Sequence, residues 1–244
     1  MAIDYEVRDQ IAYISFCRPD KHNALRDEDI ADLARAVIRF DRDDSAEVAI
    51  VFGPGKSFSS GGDVKSRLQA SVDEGNNDER TDESDAFHKC KNWKPIIAAV
   101  HGYCLGHALA SALHCDMVVA ARNTVFQATE IVVGIPSSGI WPHMAAKPML
   151  ANELCLTGRF FGVDEAWETG LLTKVVDDGT HVAAAEEIAR QIMKNPKAAV
   201  REQVRMRRAV VRERAAHMHS MMGGFRWLAD TESRDMIAQK MNKQ

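Results

Sequence analysis

The 244-residue sequence has no apolar run near the ~20 residues that a membrane-crossing helix needs. Its first ten residues carry Asp4, Glu6 and Asp9 and lack the profile of a secretory leader. The five cysteines (Cys17, Cys90, Cys104, Cys115, Cys155) are odd in number and scattered, and no pair has metal-ligand spacing. That excludes a disulfide framework and predicts reduced core thiols, no metal site and a cytoplasmic protein. Positive charge is not in excess: 31 Lys and Arg stand against 35 Asp and Glu, a net charge of −4. A general binder of nucleic acid or of a membrane surface is therefore not expected. No Gly-x-Ser-x-Gly elbow occurs, so Ser59, Ser60, Ser137 and Ser138 are not read as nucleophiles. Internal repeats, low-complexity tracts and a clear linker are also missing.

What is present fits a soluble α/β chain, 45% hydrophobic and 27% charged. Ile11–Phe16 is strand-like and stops at Pro19. A helix from Asp27, read as its cap, to Phe40 places Ile30, Leu33, Ala34, Val37 and Ile38 on one face. Val48–Phe52 and Ile96–Val100 read as buried strands, and the order strand, helix, strand predicts parallel crossover units. A helix is expected over 87–93, a small buried helix over 108–114, and short strands over 117–121, 124–127 and 171–176. A helix from Asp164 is closed by Gly170, and an amphipathic helix runs from Val182 to Met193, before Asn195-Pro196. Ser71–Asp85 is an acidic stretch without apolar period, read as a solvated loop, with a lid as the competing reading. The C-terminal third is helical and rich in arginine (Arg201, Arg205, Arg207, Arg208, Arg212, Arg214), read as a solvated face because Glu202 and Glu213 interleave. Met218, Met221 and Met222 are read as packing or subunit contact.

Two glycine-bearing segments carry the chemistry. One is Phe58-Ser59-Ser60-Gly61-Gly62-Asp63-Val64, after the Val48–Phe52 run; the other is His101-Gly102-Tyr103-Cys104-Leu105-Gly106-His107-Ala108, after Ile96–Val100. Small residues at strand exits let the backbone approach a ligand closely. Two such loops can aim two backbone N–H groups at one oxygen, an oxyanion hole. Glu130, on Phe126-Gln127-Ala128-Thr129-Glu130, supplies a carboxylate for moving a proton beside a thioester carbonyl.

These segments resemble the crotonase superfamily, that of enoyl-CoA hydratases and isomerases. Phe58–Lys65 is similar to its first oxyanion segment, and Lys94-Pro95-Ile96-Ile97-Ala98-Ala99-Val100-His101-Gly102 to the strand leading to the second. Phe126–Pro136, Leu156-Thr157-Gly158-Arg159 and Glu165–Leu171 resemble downstream family motifs in order, so the likeness covers nearly the whole chain. The resemblance implies an α/β fold: a crotonase-like ββα-superhelix core over 1–190, with a second sheet nearly perpendicular to the first, and a C-terminal helical trimerisation region over 191–244. It implies a homotrimer or dimer of trimers, a coenzyme A thioester as substrate and no permanently bound cofactor. Carried over by position, the oxyanion donors are the N–H groups of Gly62 and His107. Coenzyme A contacts fall on Lys21, His22, Ala24, Ser60, Gly61, Gly62, Asp63 and Val64, with Leu105 and Gly106 beside them. Of the two family glutamates, one position holds Ala110 and the other Glu130. The usual glycine cluster after Ile135-Pro136 reads Ser137-Ser138-Gly139-Ile140-Trp141. Double-bond isomerisation or hydration with Glu130 as the single acid/base is the implied reaction. A hydratase-lyase, a thioester hydrolase and a non-catalytic acyl-CoA binder stay open. His107 is expected to act through its N–H, and His101, His143 and Asp63 to be structural.

Overall fold

The structure, a computed structural model, describes residues 3–63, 66, 92–134, 137, 140, 143, 147–221, 235 and 239; in the last helix the side chains are described only to 211 and at 213. The acidic stretch 71–85, Val64, Cys90, Trp141 and Met222 lie outside the described residues. So does most of the helix expected over 87–93; Asn92 and Trp93 are not helical.

Six strands form the main sheet in the order β1-β2-β3-β4-β6-β9. They are β1 (Ile3–Arg8), β2 (Ile11–Phe16), β3 (Val48–Phe52), β4 (Ile96–Val100), β6 (Met117–Ala121) and β9 (Lys174–Val176). β1 and β2 pair antiparallel; every other neighbour pair is parallel, as the strand–helix–strand order predicts. β1 is not legible in the sequence. Its turn is Asp9-Gln10, with φ of 49° and 64°. Two positive φ values make a hairpin turn, but the glycine that usually marks one is absent.

Alternate residues along the strands feed two apolar layers. Ala12, Ile14, Phe16, Ala49 and Val51 meet Leu33, Val37 and Phe40 of α1 (Asp27–Arg42), and this layer continues to Leu109 and Leu113 of α2 (His107–His114). Ile11, Tyr13, Val48, Ile50, Ile97 and Val119 meet Ala184, Ala185 and Ala189 of a helix over His181–Ile192 on the opposite face. Both faces are therefore covered, which suits a mostly parallel sheet.

α1 does not start on an Asp27 cap. Arg26 holds the cap position, and Asp29 Oδ2 accepts from the Arg26 N–H at 2.9 Å. At the other end Lys94, almost fully buried, donates from Nζ to the carbonyls of Phe40 (3.0 Å) and Asp43 (2.7 Å). A second sheet, order β5-β7-β8, comprises β5 (Tyr103–Leu105), β7 (Val125–Gln127) and β8 (Phe160–Gly162). α3 (Pro148–Thr157) and α4 (Val163–Glu168) flank β8 in sequence.

The chain closes with a helix over Lys197–Met221. Arg201 and Arg205 are exposed, as expected of a solvated face, but Arg208 is buried. Arg207 and Arg208 both bind Asp116, at 3.3 and 3.1 Å, beside the end of α2. Among the described residues no helix is long and apolar enough to cross a membrane.

Candidate functional site

The second sheet gathers segments that are remote in sequence. β5 and β7 run parallel, with Leu105 opposite Gln127, so their C-terminal ends emerge side by side. Gly106 follows one and Glu130 the other. Gly106 N–H donates to Gln127 O at 2.9 Å, locking the two exits together. Two isolated bridges extend this layer outward: Ser59 pairs with Cys104, and Gly62 with Leu25. Segments 22–25, 59–63, 103–107 and 127–130 thus lie edge to edge.

At the Gly62 bridge, Gly61 O accepts from Leu25 N–H (2.8 Å) and Asp63 N–H donates to Leu25 O (2.7 Å). In a parallel bridge those flanking groups face the partner, so the Gly62 N–H points the other way. Gly61 has φ +87°, and a Cβ there would lie 2.6 Å from Leu105 O and 3.6 Å from His107 N. The two glycine segments are therefore in backbone contact, and a side chain at 61 would force them apart. Gly106, at φ +49°, precedes the first residue of α2, His107. Its own Cβ would strike Thr129 Oγ1 at 2.0 Å and sit 3.5 Å from Glu130 Oε1. Glu130 thus lies against the turn that starts α2, where helix N–H groups and the positive end of the dipole point outward.

Glu130 precedes a 3₁₀ turn over Ile131–Val133 that Gly134 ends in the left-handed region. Gly158, after α3, lets that turn pack closely: a Cβ there would lie 2.5 Å from Val132 Cγ2. Glu130 keeps some exposure as a residue, yet its Oε2 is buried and has no hydrogen-bond partner. Burial pushes the carboxyl up to about 7, against a backbone hydrogen bond that pulls it down. A carboxylate out of water and without a cation favours its neutral form, and strongly shifted groups concentrate at functional sites.

The enoyl-CoA hydratase/isomerase family profile matches residues 6–240. The chain belongs to the enoyl-CoA hydratase/isomerase family. It is 33% identical over 197 residues to the (E)-benzylidenesuccinyl-CoA hydratase of Thauera aromatica, covering 79% of this chain and 76% of that one. It is 30% identical over 202 residues to 4-chlorobenzoyl coenzyme A dehalogenase-1 of an Arthrobacter species, covering 80% and 73%. The solved enoyl-CoA hydratase/isomerase of Pseudoalteromonas atlantica T6c superposes with a TM-score of 0.88 at 26% identity, over 100% of this chain and 98% of that one. The fold is the crotonase fold.

Against that family pattern, Ala110 lies in α2 one turn beyond Gly106, donating to its carbonyl at 2.9 Å, and is buried. His114 Nδ1 lies 2.8 Å from Ala110 O. A carbonyl only accepts, so Nδ1 carries the proton. His143 meets the His114 ring edge-on at 4.7 Å, and His101 stacks on His181 at 4.5 Å.

The residues expected to meet coenzyme A divide into two groups. Ser60 N–H donates to His22 O (2.9 Å), His22 Nδ1 lies 2.9 Å from Ser57 Oγ, and Arg18 joins Ala24 O (2.9 Å) to Asp63 (3.2 Å). Asp63 also accepts from Ser66 N–H at 3.2 Å, a loop contact as expected. Lys21 stands apart, exposed at the end of a 3₁₀ turn over Pro19–Lys21. One residue on which the Glu130 charge acts has no sequence signal. Cys155 of α3 is buried, and its thiol is pushed up to about 11 by burial and by the Glu130 charge. The Ser137 hydroxyl acts on the same thiol in the opposite sense, pulling its pKa down. Among the described residues no cluster of three or more His, Cys, Asp or Glu could hold a metal.

Proposed function

We propose that this protein is an acyl-CoA hydratase that uses Glu130 as its only carboxylate acid/base. One observation carries the reading: parallel β5–β7 pairing brings a carboxylate with one buried, unpartnered oxygen against the turn that starts α2. The thioester carbonyl of an enoyl-CoA accepts hydrogen bonds from the Gly62 and His107 N–H groups. Glu130 takes a proton from water as the water oxygen bonds to the β-carbon. The C=C electron pair moves toward the thioester, and the oxyanion donors hold the resulting enolate. Glu130 then returns the proton to the α-carbon, so one enoyl thioester and one water give one β-hydroxyacyl thioester. A carboxyl titrating at about 7 is available in both forms near neutrality, which suits a group that takes and returns one proton.

His22, Ala24 and Ser60–Asp63 form the proposed coenzyme A wall, and exposed Lys21 is proposed to meet its phosphates. A homotrimer or dimer of trimers is proposed as the assembly. Its support is exposed apolar surface at Met149, Leu156, Phe160 and Trp167, on elements that Arg159 ties together through Glu153 and Glu165. Ala110 favours a competing reading, an acyl-CoA binder without turnover.

A panel of enoyl-CoA thioesters in deuterated water, followed by mass spectrometry, separates these readings. Hydration adds the mass of one heavy water. Deuterium uptake without added water means isomerisation or exchange. An unchanged panel with retained acyl-CoA binding would replace the hydratase by the binder.

A further inference from the structure

The space where Gly106 lacks a Cβ is bordered by two side-chain oxygens from the neighbouring strand exit. A Cβ there would lie 2.0 Å from Thr129 Oγ1 and 3.5 Å from Glu130 Oε1. Two atoms that close to one point are no farther apart than two ordinary O–H···O bonds laid end to end, about 2.8 Å each. One water therefore reaches both. Among the described residues Thr129 Oγ1 makes no hydrogen bond, to Glu130 or to any other group, and the residue keeps some exposure. Its backbone, by contrast, is fixed: Thr129 O accepts from Val132 N–H at 3.0 Å, in the 3₁₀ turn that follows Glu130. The facing turn is fixed as well. Gly106 N–H donates to Gln127 O, and Gly106 O accepts from Ala110 N–H, each at 2.9 Å. The next residue, His107, carries a proposed oxyanion donor. A held backbone thus presents an unbonded hydroxyl beside the proton carrier and beside the oxyanion turn.

We propose that Thr129 Oγ1 and Glu130 Oε1 hold between them the water that adds to the β-carbon, so that Thr129 is a second catalytic side chain where Ala110 offers none. Both oxygens accept hydrogen bonds. Water gives one O–H to Glu130 and the other to Thr129, and its lone pairs face the acyl chain. Glu130 takes the first proton as the water oxygen bonds to the β-carbon, and later returns it to the α-carbon. The second proton stays on the oxygen, so the β-hydroxyl of the product still donates to Thr129. Thr129 keeps its own proton throughout, because a hydroxyl has no accessible charge change at neutral pH. The role rests on the hydratase reading above and deepens it by fixing where the water sits.

The test compares two rates in one sample, which cancels any loss of folded protein. Hydration is followed with enoyl thioesters from crotonyl-CoA to cinnamoyl-CoA. Enolate formation is followed as α-hydrogen exchange of the matching saturated thioesters in deuterated water. Exchange needs Glu130 and the oxyanion donors but no bound water. Thr129→Val keeps the branched shape that packs on Gly106 and removes the hydroxyl; its ratio of hydration to exchange should fall about tenfold, the scale of one lost hydrogen bond. Thr129→Ser loses the methyl, keeps the hydroxyl and should hold the wild-type ratio. Thr129→Ala repeats the measurement if valine disturbs the fold. The opposite pattern, serine impaired and valine normal, overturns the proposal and makes Thr129 a packing residue. An equal fall of both rates in the valine variant also overturns it, since the side chain then only supports the Gly106 turn. A wild type that exchanges α-hydrogen but hydrates nothing removes the hydratase reading instead, and one that does neither removes the enolate reading.

Discussion

Asp29 and Glu130 are both carboxylates shielded within the fold, and their surroundings push them in opposite directions. Burial alone would raise Asp29, but it receives the Arg26 side chain at 3.0 and 2.9 Å, the Arg26 N–H at 2.9 Å and Arg18 at 3.5 Å, and its pKa is lowered. Among the described residues Glu130 has no such cation, and burial takes it up to about 7. Asp29 is consequently a fixed charge that ties the start of α1 to Arg18, which also holds Asp63 of the first glycine segment. Glu130 can change charge near neutral pH. Desolvation is common to both; the presence of a cation decides which becomes a support and which a proton carrier.

The contrast is broken most sharply by Glu130→Gln. Its hydration rate should fall about 10³-fold, within the range of lost acid–base catalysis, while acyl-CoA binding by calorimetry stays near wild type. In the unaltered protein kcat/KM should rise with pH through about 7, because the carboxylate is the form that takes the water proton. A profile already flat from pH 5 upward would refute the raised Glu130.

Asp29→Asn comes next in size. It removes the charge shared by Arg18 and Arg26, and urea denaturation should show a loss of about 2 kcal/mol, the scale of hydrogen bonds to charged groups. The midpoint of the pH–rate profile should not move. A shift in that midpoint would mean that the two carboxylates are coupled.

The smallest effect concerns the stability of Glu130→Gln. In the unfolded chain the carboxyl titrates near 4.5, in the fold at about 7. Between those values the folded chain keeps a proton that the unfolded chain has lost, so wild-type stability falls as pH rises through that window. The glutamine variant escapes this loss. Above pH 7 it should be the more stable protein by about 1 kcal/mol, since its amide also lacks partners, and by pH 4.5 the order should reverse, with the wild type about 2 kcal/mol the more stable. Equal melting temperatures at pH 8 would argue that Glu130 is paired after all.

Much of this was legible beforehand, for identifiable reasons. β2, β3, β4 and β6 are apolar runs, and a run buried on both faces announces itself. The glycine segments were visible because φ of +87° at Gly61 and +49° at Gly106, with backbone or Thr129 where a Cβ would sit, admit little else. β1 is not legible because Asp9-Gln10 makes its turn without glycine. β8 is not legible because its three residues are too few to show alternation. The arginine pattern of the last helix looked solvated throughout, and only the position of Asp116 beside it shows why Arg208 is buried.

The sequence by itself determined the buried strands β2, β3, β4 and β6 and their parallel crossover connections, the two glycine segments, Ala110 at a position where a carboxylate is common, and Glu130 as the carboxylate that remains. Those are properties of local pattern and of residue type. The tertiary structure decided that Glu130 Oε2 is buried without a hydrogen-bond partner, that Glu130 meets the Gly106 turn across the β5–β7 pair, and that its charge acts on the Cys155 thiol. Desolvation and the distance to a cation depend on chains that meet only after folding, so Asp29 and Glu130 are the same chemistry in the sequence and opposite groups in the fold.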